Sequence, residues 1–137
     1  MARSEVFVDT AALVALVNRS DSLHRQAVSE LTVLQEENAR LVTSDWVLAE
    51  FLSGSSRSRL RAVSIEYARL IVSTNEMLVL PATRREWSAA FDLMHTRADK
   101  LWSCIDCASI HVCLRRRIDR VFTHDRHFAQ AGLRILL

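Results

Sequence analysis

Four acidic residues sit where the surrounding sequence gives them no simple solvent-facing role. Asp106 opens the otherwise apolar stretch 101–114, LWSCIDCASIHVCL, in which Cys107, Ile110, Cys113 and Leu114 recur at helical spacing. A carboxylate in the first turn of a buried helix can close a capping box with Ser103, or it can face a cleft as a metal ligand. Asp9 ends the apolar run Glu5-Val-Phe-Val and precedes a helix-forming stretch, a position where aspartate is among the best N-caps. Glu50 follows Trp46 by four residues and Val47 by three, which puts a charge on the apolar face of its helix. An unpaired buried carboxylate is costly, so Glu50 either points into a cleft or meets a cation. Asp125, within Thr123-His-Asp-Arg, can close a local turn through its side chain, and Asp99 can do the same at the end of its helix. Each acid alone has a structural use, so functional meaning rests on whether the fold brings them together.

The elements that must do so are legible in outline. Apolar runs at 5–9, 41–43, 77–80, 120–123 and 133–136 read as short strands, the third of them stopped by Pro81. Helical patterns lie between them. Residues 10–17 form the first, and 24–38 an amphipathic second with Ala27, Val28, Leu31 and Leu34 on one face. A third runs from a Ser44-Asp45 cap through Leu52, and Gly54 with its neighbouring serines ends it. The fourth spans 57–73 on Leu60, Val63, Ile65, Leu70 and Ile71. The fifth runs from Thr83 through Ala98, with Trp87, Ala90, Phe91 and Met94 as its buried stripe. After the helix that Asp106 opens, 124–131 form a turn and a short helix. No repeat, low-complexity tract or linker divides 1–137, which reads as a single domain. Alternating strands and helices imply a three-layer α/β/α sandwich with a central parallel sheet of about five strands, joined by right-handed crossovers. Ligands in such folds bind outside the carboxyl ends of the strands, near the point where strand order reverses. Asp9, Asp106 and Asp125 are expected at that edge.

Composition narrows the setting. Hydrophobic content of 50% is ample for a core without disulfide or metal staples. Net charge is only +2, and Lys100 is the one lysine among 18 basic residues. Arginine's planar fork suits phosphate and carboxylate recognition, a weak tilt toward nucleic acid or an acidic partner. The cysteines, Cys104, Cys107 and Cys113, lie in one segment and read as buried thiols of a reducing, cytoplasmic compartment. Cys104 and Cys107 form a C-x-x-C, but no second Cys or His pair at zinc-site spacing accompanies them. No apolar run is long enough to span a membrane.

Four blocks taken in order, Val8-Asp-Thr-Ala-Ala-Leu13, Thr43-Ser-Asp-Trp-Val-Leu-Ala-Glu50, Asp99-Lys-Leu-Trp-Ser-Cys-Ile-Asp-Cys107 and Phe122-Thr-His-Asp-Arg-His-Phe128, resemble the PIN-domain family. Within it they are most similar to the VapC-like toxin branch. The resemblance covers essentially the whole chain and implies a PIN-like fold. It also implies a magnesium- or manganese-dependent ribonuclease in which Asp9, Glu50, Asp106 and Asp125 match the family's acidic quartet. Hard divalent cations prefer oxygen ligands, which explains why acids are wanted. Thr10, Ser103 and Thr123 match positions that help orient metal water or phosphate, though each hydroxyl also has a capping or strand-forming use. The resemblance departs at Ile105, where the branch commonly has threonine or serine. It further implies a small antitoxin partner and a homodimer.

Substrate counter-charge has candidates in Arg57, Arg59, Arg61, Lys100, Arg115, Arg116, Arg117 and Arg126. The cluster 115–117 ends a helix, where cations favour the macrodipole. Arg126 and Lys100 adjoin proposed ligands and are the better RNA contacts, with Asp99 beside them. Two other function classes stay open. One is an aspartyl-phosphate phosphotransfer protein using Asp9, although Ala11 stands where such enzymes need a second acid. The other is a catalytically weak PIN module that binds RNA or protein.

Overall fold

Strand β1 (Glu5–Val8) is apolar on both faces, and Val6, Phe7 and Val8 have no exposed surface, as suits a strand covered from both sides. In the computed structural model, which describes residues 2–137, it is the middle of a five-stranded sheet. After β1 come α1 (Thr10–Val17), α2 (His24–Glu36), β2 (Arg40–Ser44), α3 (Asp45–Ser55), α4 (Arg61–Ser73) and β3 (Met77–Leu80). Then follow α5 (Arg84–Thr96), α6 (Cys104–Arg116), β4 (Arg120–Phe122), α7 (Arg126–Gln130) and β5 (Arg134–Ile135). Strand order is β3-β2-β1-β4-β5, and each neighbouring pair is parallel. The chain moves outward from β1 to β3, then returns through α5 and α6 to β4 on the other side of β1. Strand order therefore reverses between β1 and β4, and the crevice of a parallel α/β sheet opens at their carboxyl ends.

Right-handed crossovers in opposite directions put helices on opposite faces. Helices α1 to α4 pack among themselves, α6 packs on α5 and α7, and α3 also meets α6. The buried aromatics Phe7, Phe51, Phe122 and Phe128 fill the space between sheet and helices. Arg116 fastens the far end of α6 to the start of β1 through two bonds to Glu5, at 3.1 and 2.8 Å. No helix is long and apolar enough to cross a membrane among the described residues.

The α/β/α architecture is as expected, but several helices differ from their sequence pattern: Val28 of α2 and Leu114 of α6 are exposed, α3 runs through Gly54 to Ser55, and α4 and α5 turn different residues inward. Helix α4 begins at Arg61, because Ser58 accepts from the Leu60 amide and holds the preceding residues in a turn. Its buried positions are Ser64, Ala68 and Ile71, leaving Val63, Leu70 and Val72 exposed. Helix α5 buries Ala90 but exposes Phe91 and Met94, which are 52% and 40% accessible. Its inward line is Glu86, Ala90 and the half-buried Leu93, since Glu86 meets Arg115 of α6 at 3.0 Å and draws that side of the helix inward.

Candidate active site

Asp9 leaves β1 at the crevice. It occupies the N-cap position of α1, yet its side chain makes no capping bond, so the carboxylate is not spent on the helix. Instead Asp9 Oδ2 accepts from the Thr123 hydroxyl at 2.8 Å, across from β1 to the end of β4. Asp9 is only 5% exposed. Burial raises its pKa to about 6, opposed by the Thr123 hydroxyl and the nearby Thr10 amide and reinforced by the charges of Glu50 and Asp106. Glu50 and Asp106 thus lie near enough to Asp9 for their charges to act on its carboxylate.

Glu50 reaches the same place from α3, whose first turn is fixed by the Ser44 hydroxyl accepting from the Val47 amide. Glu50 Oε1 accepts from the Thr10 hydroxyl at 2.6 Å. The charge on an apolar helix face is thus met by a hydroxyl beside Asp9.

Asp106 does close a capping box. The Ser103 hydroxyl accepts from the Asp106 amide at 3.1 Å, and Asp106 Oδ2 accepts from the Ser103 amide at 3.0 Å. The same Oδ2 lies 2.9 Å from His127 Nδ1. Asp125 likewise combines a local and a longer-range contact. Its Oδ1 accepts from the His127 amide at 2.9 Å, capping α7, and lies 3.5 Å from the His127 ring. Thr123 also accepts from the Asp125 amide at 3.1 Å, so one hydroxyl holds both Asp9 and the Asp125 backbone.

A shared design emerges among the described residues. In each of the four acids one carboxylate oxygen is held by a hydroxyl, an amide or an imidazole, and the other accepts no aligned hydrogen bond. A set of oriented acids with open oxygens suits a hard divalent cation. One donor atom each from Asp106, Asp125 and His127 lies within 4.8 Å of the others.

His127 is the residue that sequence reasoning missed. Its signal was its place in the first turn of α7, two residues beyond an acid that caps that helix. Asp99 and Lys100 are not drawn into the cluster. Asp99 makes two bonds to Arg97, at 3.1 and 3.2 Å, which hold its carboxyl below the usual range, and Lys100 lies 3.8 Å from it. Arg126 is exposed at the start of α7, beside Asp125, and has no ion pair among the described residues. Of the arginines at the end of α6, Arg115 pairs with Glu86 and Arg116 with Glu5, while Arg117 takes the left-handed cap at φ 58°. A concavity of about 1040 Å³ runs along the β3 side of the sheet, from Glu5 and Arg40 at the amino ends of β1 and β2 to Asp45 and Pro81, and none of the four acids lines it.

The described residues form a parallel α/β/α sandwich with acids at the β1/β4 crevice. The PIN domain family model matches residues 6–133, and the chain belongs to that family. Comparison with curated proteins finds no match. Among solved structures, VapC20 from Mycobacterium tuberculosis, described as a Sarcin-Ricin loop cleaving toxin, superposes with a TM-score of 0.81 at 23% identity over 93% of this chain and 95% of that one. VapBC2 from Rickettsia felis, bound to a DNA fragment from its promoter, gives 0.70 at 15% identity over 96% of each chain. VapBC-1 from nontypeable Haemophilus influenzae gives 0.63 at 20%, also over 96% of each. At these identities the likeness is one of fold.

Proposed function

We propose that this chain is a divalent-metal-dependent ribonuclease of the VapC-like kind, hydrolysing RNA phosphodiester bonds at the cluster of Asp9, Glu50, Asp106 and Asp125. The observation that carries the reading is the pairing, in all four acids, of one held oxygen with one open oxygen. Magnesium or manganese fits that donor set, and His127 adds a nitrogen that manganese tolerates better. When bound, such an ion supplies Lewis acidity toward a phosphoryl oxygen and makes water nucleophilic at neutral pH.

The protein's own residues do the positioning. Thr123 fixes Asp9, Thr10 fixes Glu50, and Ser103 with His127 fixes Asp106, so ligand geometry is set before an ion arrives. Burial of Asp9 keeps water from screening the site, and a cation would relieve the repulsion that raises its pKa. Arg126 offers an exposed charge for a substrate phosphate beside Asp125. Lys100 and Asp99, paired next to the Asp106 approach, belong to the outer substrate path.

The complexes VapBC2 and VapBC-1 support a toxin whose partner is a small antitoxin, and a homodimer and cytoplasmic action follow from the same reading. The test is a panel of structured and unstructured RNAs incubated with magnesium or manganese. Cleavage that appears with either ion and disappears in EDTA supports the reading. Equal cleavage in EDTA, or none on any RNA, overturns it.

A further inference from the structure

A second concavity of about 260 Å³ lies on the α5–α6 side of the sheet, at the ends of β2 and β3, and nothing in the acidic cluster uses it. Its apolar walls come from Leu80, Pro81, Ala108 and Val112. Two of its lining residues carry buried atoms without a hydrogen-bond partner among the described residues, Trp46 Nε1 and Glu86 Oε2. Glu86 is 8% exposed. Its Oε1 is taken by Arg115 at 3.0 Å, and His111 Nε2 stands 3.5 Å from Oε2 but out of hydrogen-bonding alignment. Two residues that line the same small cavity thus each hold a buried polar atom without a hydrogen-bond partner. Buried polar groups left unpaired are uncommon and mark a place where a partner belongs.

The complementary ligand is flat and apolar on its faces and presents a donor beside an acceptor on one edge. That is the edge of a nucleobase, which proteins read in single-stranded RNA by stacking and hydrogen bonding. The volume falls just below the range of about 300–1,000 Å³ for drug-sized ligands, which suits one ring system. Arg85 and Arg115 also line the cavity and are exposed residues, Arg115 being paired with Glu86 and Arg85 carrying a charge that a phosphate could meet. Position agrees as well. Trp46 precedes Glu50 by one turn of α3, and Ala108 follows Asp106 on α6, so the cavity and the acids share two helices and one edge of the sheet.

We infer that this cavity is a nucleobase pocket, taking an unpaired base of the RNA next to the phosphate held at the acids, with Trp46 donating to the base and Glu86 accepting from it. The RNA part rests on the ribonuclease reading above. Base binding itself can be tested apart from cleavage.

The experiment is a ¹H–¹⁵N titration of the full chain in EDTA, following the indole N–H signals of its 3 tryptophans. The Trp46 signal is identified by its loss in Trp46→Phe, which keeps an aromatic ring against Trp87, and Trp102 serves as the internal reference. Adenosine, guanosine, cytidine and uridine 5′-monophosphates are added to millimolar concentration, with ribose 5-phosphate as the control. We expect at least one nucleotide to move the Trp46 N–H saturably while ribose 5-phosphate does not, and Glu86→Gln to weaken that binding roughly tenfold. No movement with any nucleotide, or equal movement with ribose 5-phosphate, overturns the pocket. RNA cleavage without Trp46 movement overturns this inference alone. Movement without metal-dependent cleavage overturns the ribonuclease reading and leaves the base site standing.

Discussion

The Thr123 hydroxyl donates to Asp9 Oδ2 at 2.8 Å, linking the end of β4 to the acid that ends β1 across the point where strand order reverses. Thr123 is wholly buried and accepts from the Asp125 amide as well, so one side chain sets the relation between two acids. Thr123→Val keeps the shape and removes the donor. Manganese affinity, read by calorimetry at neutral pH, is expected to fall by about tenfold or more, with Thr123→Ser close to wild type. Unchanged affinity in the valine variant would mean that Asp9 does not contribute to binding a cation.

The raised pKa of Asp9 has a stability consequence with a definite sign. The folded protein holds the Asp9 proton more tightly than the unfolded chain, about 6 against 3.8. The stabilising effect is fully present below 3.8 and is lost as pH rises through 6. Above that pH, ionised and buried Asp9 costs about 3 kcal/mol relative to its protonated state, from roughly two pKa units. In EDTA, Asp9→Asn is therefore expected to melt higher than wild type at pH 8, with the difference shrinking toward pH 4. An asparagine variant less stable than wild type at pH 8 would contradict this.

His127 Nδ1 sits 2.9 Å from Asp106 Oδ2, and the ring also adjoins Asp125. His127→Ala leaves that oxygen with the Ser103 amide alone. Manganese affinity should drop by roughly tenfold while the melting temperature in EDTA changes little. An equal loss of stability and affinity would reduce His127 to a structural role.

Arg116 tests the scaffold separately from the site. Its two bonds to Glu5 lie at the amino edge of the sheet, away from the acids, and both side chains are partly buried. Arg116→Ala is expected to lower unfolding free energy by about 1–2 kcal/mol in urea melts. Divalent binding should stay at wild-type strength, and its loss would show that the two ends of α6 are coupled.

The strands were readable because each is a short apolar run with a sharp end. Asp9 closes one and Pro81 another, and the alternation with helices leaves little choice but a parallel sheet. The capping box of Asp106 and the local turn closed by Asp125 were readable for the same local reason. Contacts set by distant partners were not. The pattern on α5 offered Phe91 and Met94 as core, but the helix turns Glu86 inward because Arg115 and His111 wait on α6, about 25 residues further along the chain. Asp9 read as a helix cap until β4 supplied the Thr123 hydroxyl. The role of His127 depends on how a five-residue helix aims its ring at Asp106, which no periodicity records.

The central claim is that the acids hold a cation for RNA hydrolysis, and single Asp9→Asn and Asp106→Asn variants test it most directly. Each is to be assayed for magnesium- or manganese-dependent cleavage of the RNA that the wild type cuts, with circular dichroism to show that the fold persists. Both variants are expected to stay folded and to lose cleavage. Folded variants that cleave as the wild type does would contradict the account.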